Sequence, residues 1–280
     1  MIKRLSATVA ALCLSGVLAG CMTVSVPEGQ FFYPDARVTA EKMVLTPGPA
    51  IPGAEVLSLP YSGGAVAATR VRMGKSDAPL ILYCGGNLFR RDVNGAQVAT
   101  ELAPFGDVLM FDYPGSGDTP GQANFATYRS AGAVIAATAR AQADAEGRKL
   151  IAWGHSLGGP ICAEAARVIR ADSLVLEATT PTARDAVNEM IGLWRPLVRV
   201  QLADALATVD VPATLDGYPG KVVVLEAGRD ETLPPALSRK LAQDLETRGV
   251  NVERLVFPRA DHGDIPAQPN FVARVAAALN

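Results

Sequence analysis

Short apolar runs alternate with longer amphipathic stretches along most of this chain. The runs are bounded by turn residues and occupy positions 79–84, 107–111, 149–153, 173–176, 221–226 and 252–257. Continuous apolar runs of this length are typical of strands buried on both faces of a parallel sheet. Residues 53–73 differ, because two strand-like pieces flank Ser62-Gly63-Gly64, which predicts a hairpin at the sheet edge.

The stretches between the runs have helical character, at residues 94–103, 125–145, 157–170, 235–248 and 270–279. Strands that alternate with helices predict an α/β fold with a mostly parallel, doubly wound sheet and flanking helices. We expect this domain over residues 53–280, with a small insertion at 181–219 between the sixth and seventh strands.

The insertion carries apolar residues at helical spacing: Val187, Met190, Ile191, Trp194, Leu197 and Val198. Two interpretations of this apolar face stay open. It packs against the body of the domain, or the segment is a small lid that shapes a pocket.

The first twenty residues are typical of an export signal. Lys3 and Arg4 precede an apolar run at 5–18 that is too short to span a bilayer comfortably. Leu18-Ala19-Gly20-Cys21 follows, and it resembles the lipobox of bacterial lipoproteins. The resemblance implies removal of residues 1–20 and acylation of Cys21, which would anchor the protein in a membrane of the cell envelope.

The residues after the lipobox define the anchored segment, 21–52. Its polar, turn-rich start at 22–33 is expected to act as a tether between lipid and domain. Residue 22 is methionine and not the aspartate that keeps some lipoproteins on the inner membrane. The resemblance therefore favours the outer membrane, facing the periplasm, in a bacterium with two membranes.

The amino-acid composition argues against nucleic-acid binding and against a metal site. The formal net charge is -2 without a basic cluster in the domain, so nucleic-acid binding is excluded. With only two histidines and no clustered thiols, we expect no metal and no cofactor. Cys84 and Cys162 are too few for a disulfide framework, and they are expected to pack as buried small hydrophobes without a redox or metal role. The oligomeric state stays open.

Gly154-His155-Ser156-Leu157-Gly158 lies between an apolar run and a helical stretch. A serine in this G-x-S-x-G context occupies a sharp strand-to-helix turn, where the backbone leaves no room for bulky neighbours. The helix start leaves amides unpaired, so the N–H of Leu157 is a predicted oxyanion donor. The pattern predicts a nucleophile at Ser156; the alternative is a tight turn that only packs a helix on the sheet.

An acid and a histidine follow later strands. Serine needs an imidazole to take its proton and a carboxylate to orient that imidazole. His262 follows the last strand and is the predicted base, whereas His155 is expected to point away from the serine and to pack at the elbow. Asp230, after the seventh strand, is the predicted acid, and Glu177, after the sixth strand, is the alternative.

A second oxyanion donor is expected in the loop after the third strand. This loop reads Cys84-Gly85-Gly86-Asn87-Leu88, and its glycines let backbone amides approach a substrate closely. Asn87 or Leu88 is the predicted donor. The alternative is a glycine-rich turn with no role in binding.

With these motifs the chain resembles serine hydrolases of the α/β-hydrolase superfamily over residues 56–280. G-H-S-L-G, D-Y-P-G-S-G, G-R-D-E and A-D-H-G-D are similar to motifs of the serine aminopeptidase-like branch, which includes membrane-associated acylglycerol and acyl-thioester hydrolases. That branch usually has His-Gly-Asn in its oxyanion loop, where this chain has Gly85-Gly86-Asn87.

The resemblance implies a carboxylesterase- or lipase-like enzyme whose substrate is a small-molecule acyl ester. Three alternatives stay open: an acyl-thioesterase or depalmitoylase-like enzyme, a peptidase with the same triad, and a catalytically weak envelope lipoprotein that serves as a binding or assembly factor.

Overall fold

The computed structural model describes residues 22–73 and 77–280. The expected signal peptide at 1–20 and the expected acylation site at Cys21 lie outside the described residues. No helix in the described part of the chain combines the length and apolar character needed to cross a membrane.

Ten strands form in the described part: β1 Met22–Val26, β2 Glu55–Tyr61, β3 Gly64–Val71, β4 Leu80–Cys84, β5 Asp107–Phe111, β6 Leu150–His155, β7 Ser173–Glu177, β8 Val198–Leu202, β9 Lys221–Ala227 and β10 Val252–Phe257. Eight of them build one sheet in the order β10-β9-β7-β6-β4-β5-β3-β2. β3 is antiparallel to β2 and β5, and the other neighbours are parallel. The sheet confirms the predicted fold, including the edge hairpin.

The helices of the described chain are α1 Asp35–Ala40, α2 Arg91–Leu102, α3 Phe125–Ala145, α4 Gly158–Ile169, α5 Ala183–Ile191, α6 Asp204–Ala207, α7 Val211–Thr214, α8 Pro235–Thr247 and α9 Phe271–Leu279. Short 3-10 turns occupy Glu28–Phe31, Gly192–Leu197 and Ile265–Ala267. The helices predicted from the pattern are all present, with ends displaced by a few residues.

Both faces of the sheet are buried. In β4, Leu80 and Leu82 belong to a core cluster that includes α3, α4 and α8, whereas Ile81 and Tyr83 belong to a second cluster with α2 and α9. Side chains that alternate along a central strand thus fill two cores, which explains the continuous apolar runs. The carboxyl ends of the parallel strands meet at one edge, where ligands bind in folds of this kind.

The N-terminal segment is folded against the domain. β1 pairs in parallel with β8, and Met22 lies opposite Val198. Phe32 is fully buried and packs edge to face on Tyr128 of α3. The free tether expected at 22–33 is therefore a wrong expectation, because the apolar residues of this stretch find partners far along the chain.

Cys84 and Cys162 form a disulfide, with Cα atoms 5.8 Å apart and 78 residues of sequence separation. Burial was expected and is found at both cysteines, whereas the bond between them was not predicted. Because Cys84 ends β4 and Cys162 lies in α4, the bond ties the strand before the glycine-rich loop to the helix after the serine.

The insertion does not form one continuous helical face. α5 ends at Ile191 because Gly192 adopts a φ of +57°, and a 3-10 turn and β8 follow. The packing interpretation holds at Val187, which is buried. It fails at three other residues of the predicted face, which are exposed: Met190, Trp194 and Leu197. Leu193, which was not part of that face, is exposed as well.

Candidate active site

A tight turn between β6 and α4 carries Ser156. Its φ is +53°, in the left-handed region that L-residues rarely adopt. The turn is held because the N–H of Ser156 donates to the carbonyl of Glu177 at 2.9 Å, and its own carbonyl accepts from Thr179 Oγ1 at 2.8 Å. A side chain at Gly158 would overlap the carbonyl oxygen of Cys84. The crowding predicted around the serine is therefore real, and glycine is required there.

Ser156, His262 and Asp230 form one hydrogen-bonded chain at the carboxyl edge of the sheet. The hydroxyl of Ser156 donates to His262 Nε2 at 2.9 Å, and His262 Nδ1 donates to Asp230 Oδ2 at 2.7 Å. Asp230 Oδ1 accepts the N–H groups of Thr232 and Leu233, each at 2.8 Å. A carboxylate fixed in this way holds the proton on Nδ1, so that Nε2 is free to accept the serine proton.

Glu177, the alternative acid, faces a different partner. It lies opposite His155 in the pairing of β6 with β7, and its Oε2 accepts the indole N–H of Trp153 at 2.7 Å. The structure therefore brings Asp230, and not Glu177, to the ring of His262.

His155 packs at the elbow, as expected, but it also makes a contact that the sequence did not predict. Its Nε2 donates to the backbone carbonyl of His262 at 3.0 Å, and the two ring centroids are 5.1 Å apart. Because a carbonyl only accepts, the proton of the His155 ring lies on Nε2. Burial lowers the pKa of His155, which favours the neutral ring with its one proton on Nε2.

The glycine-rich loop after β4 lies directly beside the serine. A Cβ at Gly86 would be 3.5 Å from the Cβ of Ser156. Within the described part of the chain, the backbone N–H groups of Leu157, Asn87 and Leu88 donate to no protein acceptor. None of the three predicted oxyanion donors is therefore committed to an acceptor within the described residues, as binding of an oxyanion requires.

The side chain of Asn87 is engaged elsewhere, because it binds the N-terminal segment. Its Oδ1 accepts the N–H of Tyr33 at 2.8 Å, and its Nδ2 donates to the carbonyl of Phe31 at 2.6 Å. Arg90 extends the contact by donating to Asp35 Oδ1 at 2.8 Å. Only the backbone of Asn87 thus remains for an oxyanion, and the segment before α1 supports the loop that presents it.

The D-Y-P-G-S-G turn fixes the other end of this loop. Asp112 accepts the N–H of Arg91 at 2.8 Å and its guanidinium at 3.0 Å. Burial raises the pKa of Asp112, although the Arg91 charge opposes the shift. The turn therefore anchors the start of α2, which follows the loop immediately.

Among the described residues, no group of three or more His, Cys, Asp or Glu side chains is arranged to hold a metal ion.

The sheet order, the serine on a strand-to-helix turn, and the aspartate and histidine after two later strands together define the α/β-hydrolase fold. A model of the Alpha/beta hydrolase family matches residues 83–205, which include the elbow. This match covers less than half of the chain, and the chain has the α/β-hydrolase fold.

Among curated proteins, two sequences from two strains of Mycobacterium tuberculosis match, both named only as uncharacterized proteins. They are 30% identical to this chain over 58% of its length and 56% of their own. The chain thus spans little more than half the length of these relatives.

Several solved structures share the fold at lower identity. An esterase from the archaeon Pyrobaculum calidifontis is 19% identical, with a TM-score of 0.58 over 82% of this chain and 86% of that one. A Pyrococcus furiosus esterase is 12% identical, with a TM-score of 0.66 over 84% and 94%. An ester hydrolase from the metagenome of Lake Arreo, complexed with a bipyridine phosphonate derivative, is 17% identical, with a TM-score of 0.63 over 99% and 96%. At these identities the likeness shows the fold alone.

Two sets of hydrogen bonds at the site could not be predicted from the sequence. They are the hydrogen bond from His155 to the carbonyl of His262 and the hydrogen bonds of the Asn87 side chain. Both join residues that are distant in sequence and carry no local pattern. The disulfide is different, because the lipobox-like segment was a usable signal. Export places cysteines in an oxidising compartment, where pairing is common.

Proposed function

We propose that this protein is a membrane-anchored serine hydrolase that cleaves carboxylic esters through an acyl-enzyme on Ser156. The observation that carries the proposal is the hydrogen-bonded chain from Ser156 through His262 to Asp230. A binding or assembly factor would have no need of a serine on a strained turn with both partners in place. The esterase names of several structural neighbours support the ester class.

In the first half of the reaction, Ser156 Oγ attacks the acyl carbon of the substrate while its proton passes to His262 Nε2. Asp230 stabilises the resulting imidazolium without taking its proton. The tetrahedral intermediate then collapses, and the bond to the leaving oxygen breaks. That oxygen receives the proton from His262, so that an alcohol departs and the acyl group stays on Ser156.

In the second half, water occupies the place of the alcohol. His262 takes a proton from the water as its oxygen bonds to the acyl carbon, and the collapse that follows returns the proton to Ser156 and releases a carboxylic acid. The oxyanion forms in both halves. Its proposed donors are the N–H of Leu157 and that of Asn87 or Leu88, because donors aimed at developing charge lower the barrier most.

The proposed anchor is an acylated Cys21 in the outer membrane of a two-membrane bacterium, with the domain in the periplasm. The lipobox-like Leu18-Ala19-Gly20-Cys21 supports it. The Cys84–Cys162 disulfide gives independent support for export, because disulfides persist in oxidising compartments and are rare in the cytosol.

A fluorophosphonate probe tests the nucleophile, because it bonds covalently only to an activated serine. We expect labelling of the wild type and of Ser62→Ala, a control at an exposed serine, and loss of labelling in Ser156→Ala. Turnover of a short acyl ester should fall by several orders of magnitude in Ser156→Ala. Retention of more than about a tenth of wild-type turnover would contradict the assignment.

The reaction class and the anchor need separate measurements. A panel of matched acyl esters, acyl thioesters and peptides ranks the substrates, and we expect the esters to have the highest kcat/KM. Metabolic labelling with a fatty acid tests the anchor: the wild type should carry the label in the membrane fraction, and Cys21→Ser should lose it. A label-free wild type would leave a secreted hydrolase.

A further inference from the structure

Four exposed apolar side chains fall close together in the insertion, and we name this set the apolar ridge: Met190, Leu193, Trp194 and Leu197, which are 36%, 98%, 49% and 60% exposed. The other exposed large apolar residues of the described chain are valines at separate positions: Val44, Val56, Val168 and Val272. Scattered apolar residues are normal on a surface, whereas a cluster indicates an interaction site.

The pairing of β1 with β8 places the start of the described chain beside the ridge. Met22 lies opposite Val198, which directly follows Leu197 of the ridge. Because the two strands are parallel, the chain enters β1 from the ridge end. Cys21 lies outside the described residues, but it is bonded to Met22, and one residue spans only about 3.8 Å.

The helix that leads into the ridge starts at the active-site edge of the domain. α5, which leads into the ridge, begins in the loop after β7. Its Ala186 packs against Leu233 and Leu237, and the N–H of Leu233 donates to Asp230 Oδ1. The insertion that carries the ridge is therefore packed, at its start, against the edge that carries the serine and its partners.

The charges around the ridge are mainly positive. Arg195 within the ridge segment and Arg199 on β8 are exposed, and Glu189 is the only acidic residue from 189 to 199. Exposed apolar side chains combined with arginines suit the interface of a bilayer that contains anionic phospholipids.

We propose that the apolar ridge inserts into the surface of a phospholipid bilayer and holds the active-site edge toward the membrane. The inference rests on the proposed anchoring, since an acyl chain on Cys21 would enter the same bilayer beside the ridge. It adds a second point of membrane contact, made by the folded domain itself, and it implies that substrates are presented at the lipid surface.

The chain contains its own reporter for this contact. It has two tryptophans, and Trp153 is fully buried, whereas Trp194 lies on the ridge. The test uses the processed chain, residues 21–280, with Cys21→Ser so that no acyl chain is present. Vesicles of phosphatidylethanolamine and phosphatidylglycerol should shift the emission of Trp194 to the blue, and brominated lipid should quench it. Trp194→Phe, which retains Trp153, should show neither change.

Substitutions in the ridge measure how much it contributes to vesicle binding. Leu193→Ser combined with Leu197→Ser should weaken vesicle partition by about tenfold or more, since apolar contact with the bilayer is lost. The matched control is Val168→Ser, at an apolar residue on α4 whose exposure of 78% lies between those of Leu193 and Leu197, and this variant should bind as the parent does. Thermal unfolding of each variant checks that the fold is intact, and high salt should weaken binding by screening the arginines.

Equal partition of the ridge variant and the parent would overturn the proposal, as would a parent chain that fails to bind. A ridge-dependent dimer in light scattering, without vesicle binding, would assign the ridge to a second copy of the chain instead. No substrate is used, so these outcomes are independent of whether the protein hydrolyses esters.

Discussion

The ring of His155 donates a hydrogen bond from Nε2 to the backbone carbonyl of His262 at 3.0 Å. The residue before the nucleophile thus holds the backbone of the residue that is proposed to activate it. Asp230 orients the His262 ring through its side chain, and His155 orients the same residue through its main chain. His262 is therefore held at two points, which limits the movement of Nε2 relative to Ser156.

Replacement of His155 should test this second point. His155→Phe keeps an aromatic ring but removes the donor, and we expect kcat for a short ester to fall roughly tenfold or more, because small displacements of a catalytic group are costly. His155→Gln retains an N–H donor and should recover part of the loss. Steady-state kinetics with melting curves check both variants. A lowered melting temperature with unchanged kcat would reduce His155 to a packing residue.

The choice of acid predicts a ranking of two carboxylate variants. Asp230→Asn should lower turnover by roughly 10³ or more, because the amide no longer holds the imidazole in the required tautomer. Glu177→Gln should have little effect on turnover, since an amide oxygen can still accept the N–H of Trp153. Single-turnover acylation rates provide the comparison. The reverse ranking would move the acid to β7.

The disulfide predicts a difference in stability between the oxidised and reduced chain. The bond closes a span of 78 residues, and its loss should lower the free energy of unfolding by roughly 2 to 4 kcal/mol. Urea unfolding of the oxidised wild type, the reduced wild type and the Cys84→Ala, Cys162→Ala variant gives the measurement. The last two should agree closely. Alkylation of both cysteines in protein purified from an oxidising compartment, without reductant, would contradict the bond.

A charge cluster at the opposite edge of the sheet predicts the pH dependence of stability. Hydrogen bonds from Arg70, at 2.8 and 2.6 Å, lower the pKa of Glu146 from 4.5 to about 2, and Arg148 contributes in the same direction. A carboxylate with a lowered pKa stabilises the fold above its unfolded pKa, and this stabilisation is lost as pH falls through the folded value.

Glu146→Gln should therefore be less stable than wild type at neutral pH, and the difference should shrink as pH falls from about 4.5 to about 2. Chemical unfolding across this range is the measurement. Glu246→Gln, at an exposed glutamate of α8, is the matched control and should show little change. A stability difference that does not vary with pH would assign Glu146 a role other than charge pairing.

The central strands and the order Ser156, Asp230, His262 were predictable because each has a local signature. A strand buried on both faces appears as a continuous apolar run, and polar residues at its carboxyl end fall where the site forms. The serine has an additional signature in Gly158, whose lack of a side chain is required by the nearby carbonyl of Cys84.

The remaining features depend on contacts between distant parts of the chain. Met22 pairs with Val198, and Phe32 is buried. The local sequence around these residues does not differ enough from that of a polar linker to predict either contact. The insertion was misread for a different reason: its helical spacing continues past Gly192, where the backbone turns to positive φ. A glycine at that position was the available sign of a helix end.

The docking of β1 on β8 also changes how an acylated form of this protein would work. A lipoprotein with a long flexible linker can move its catalytic domain over a range of distances from the membrane. Here β1 begins one residue after Cys21 and is paired with β8 from its first residue. An acyl chain on Cys21 would therefore be joined to the folded domain with almost no flexible linker. In such an enzyme the distance between the active site and the membrane surface would be nearly fixed, and substrates would be hydrolysed only at that distance.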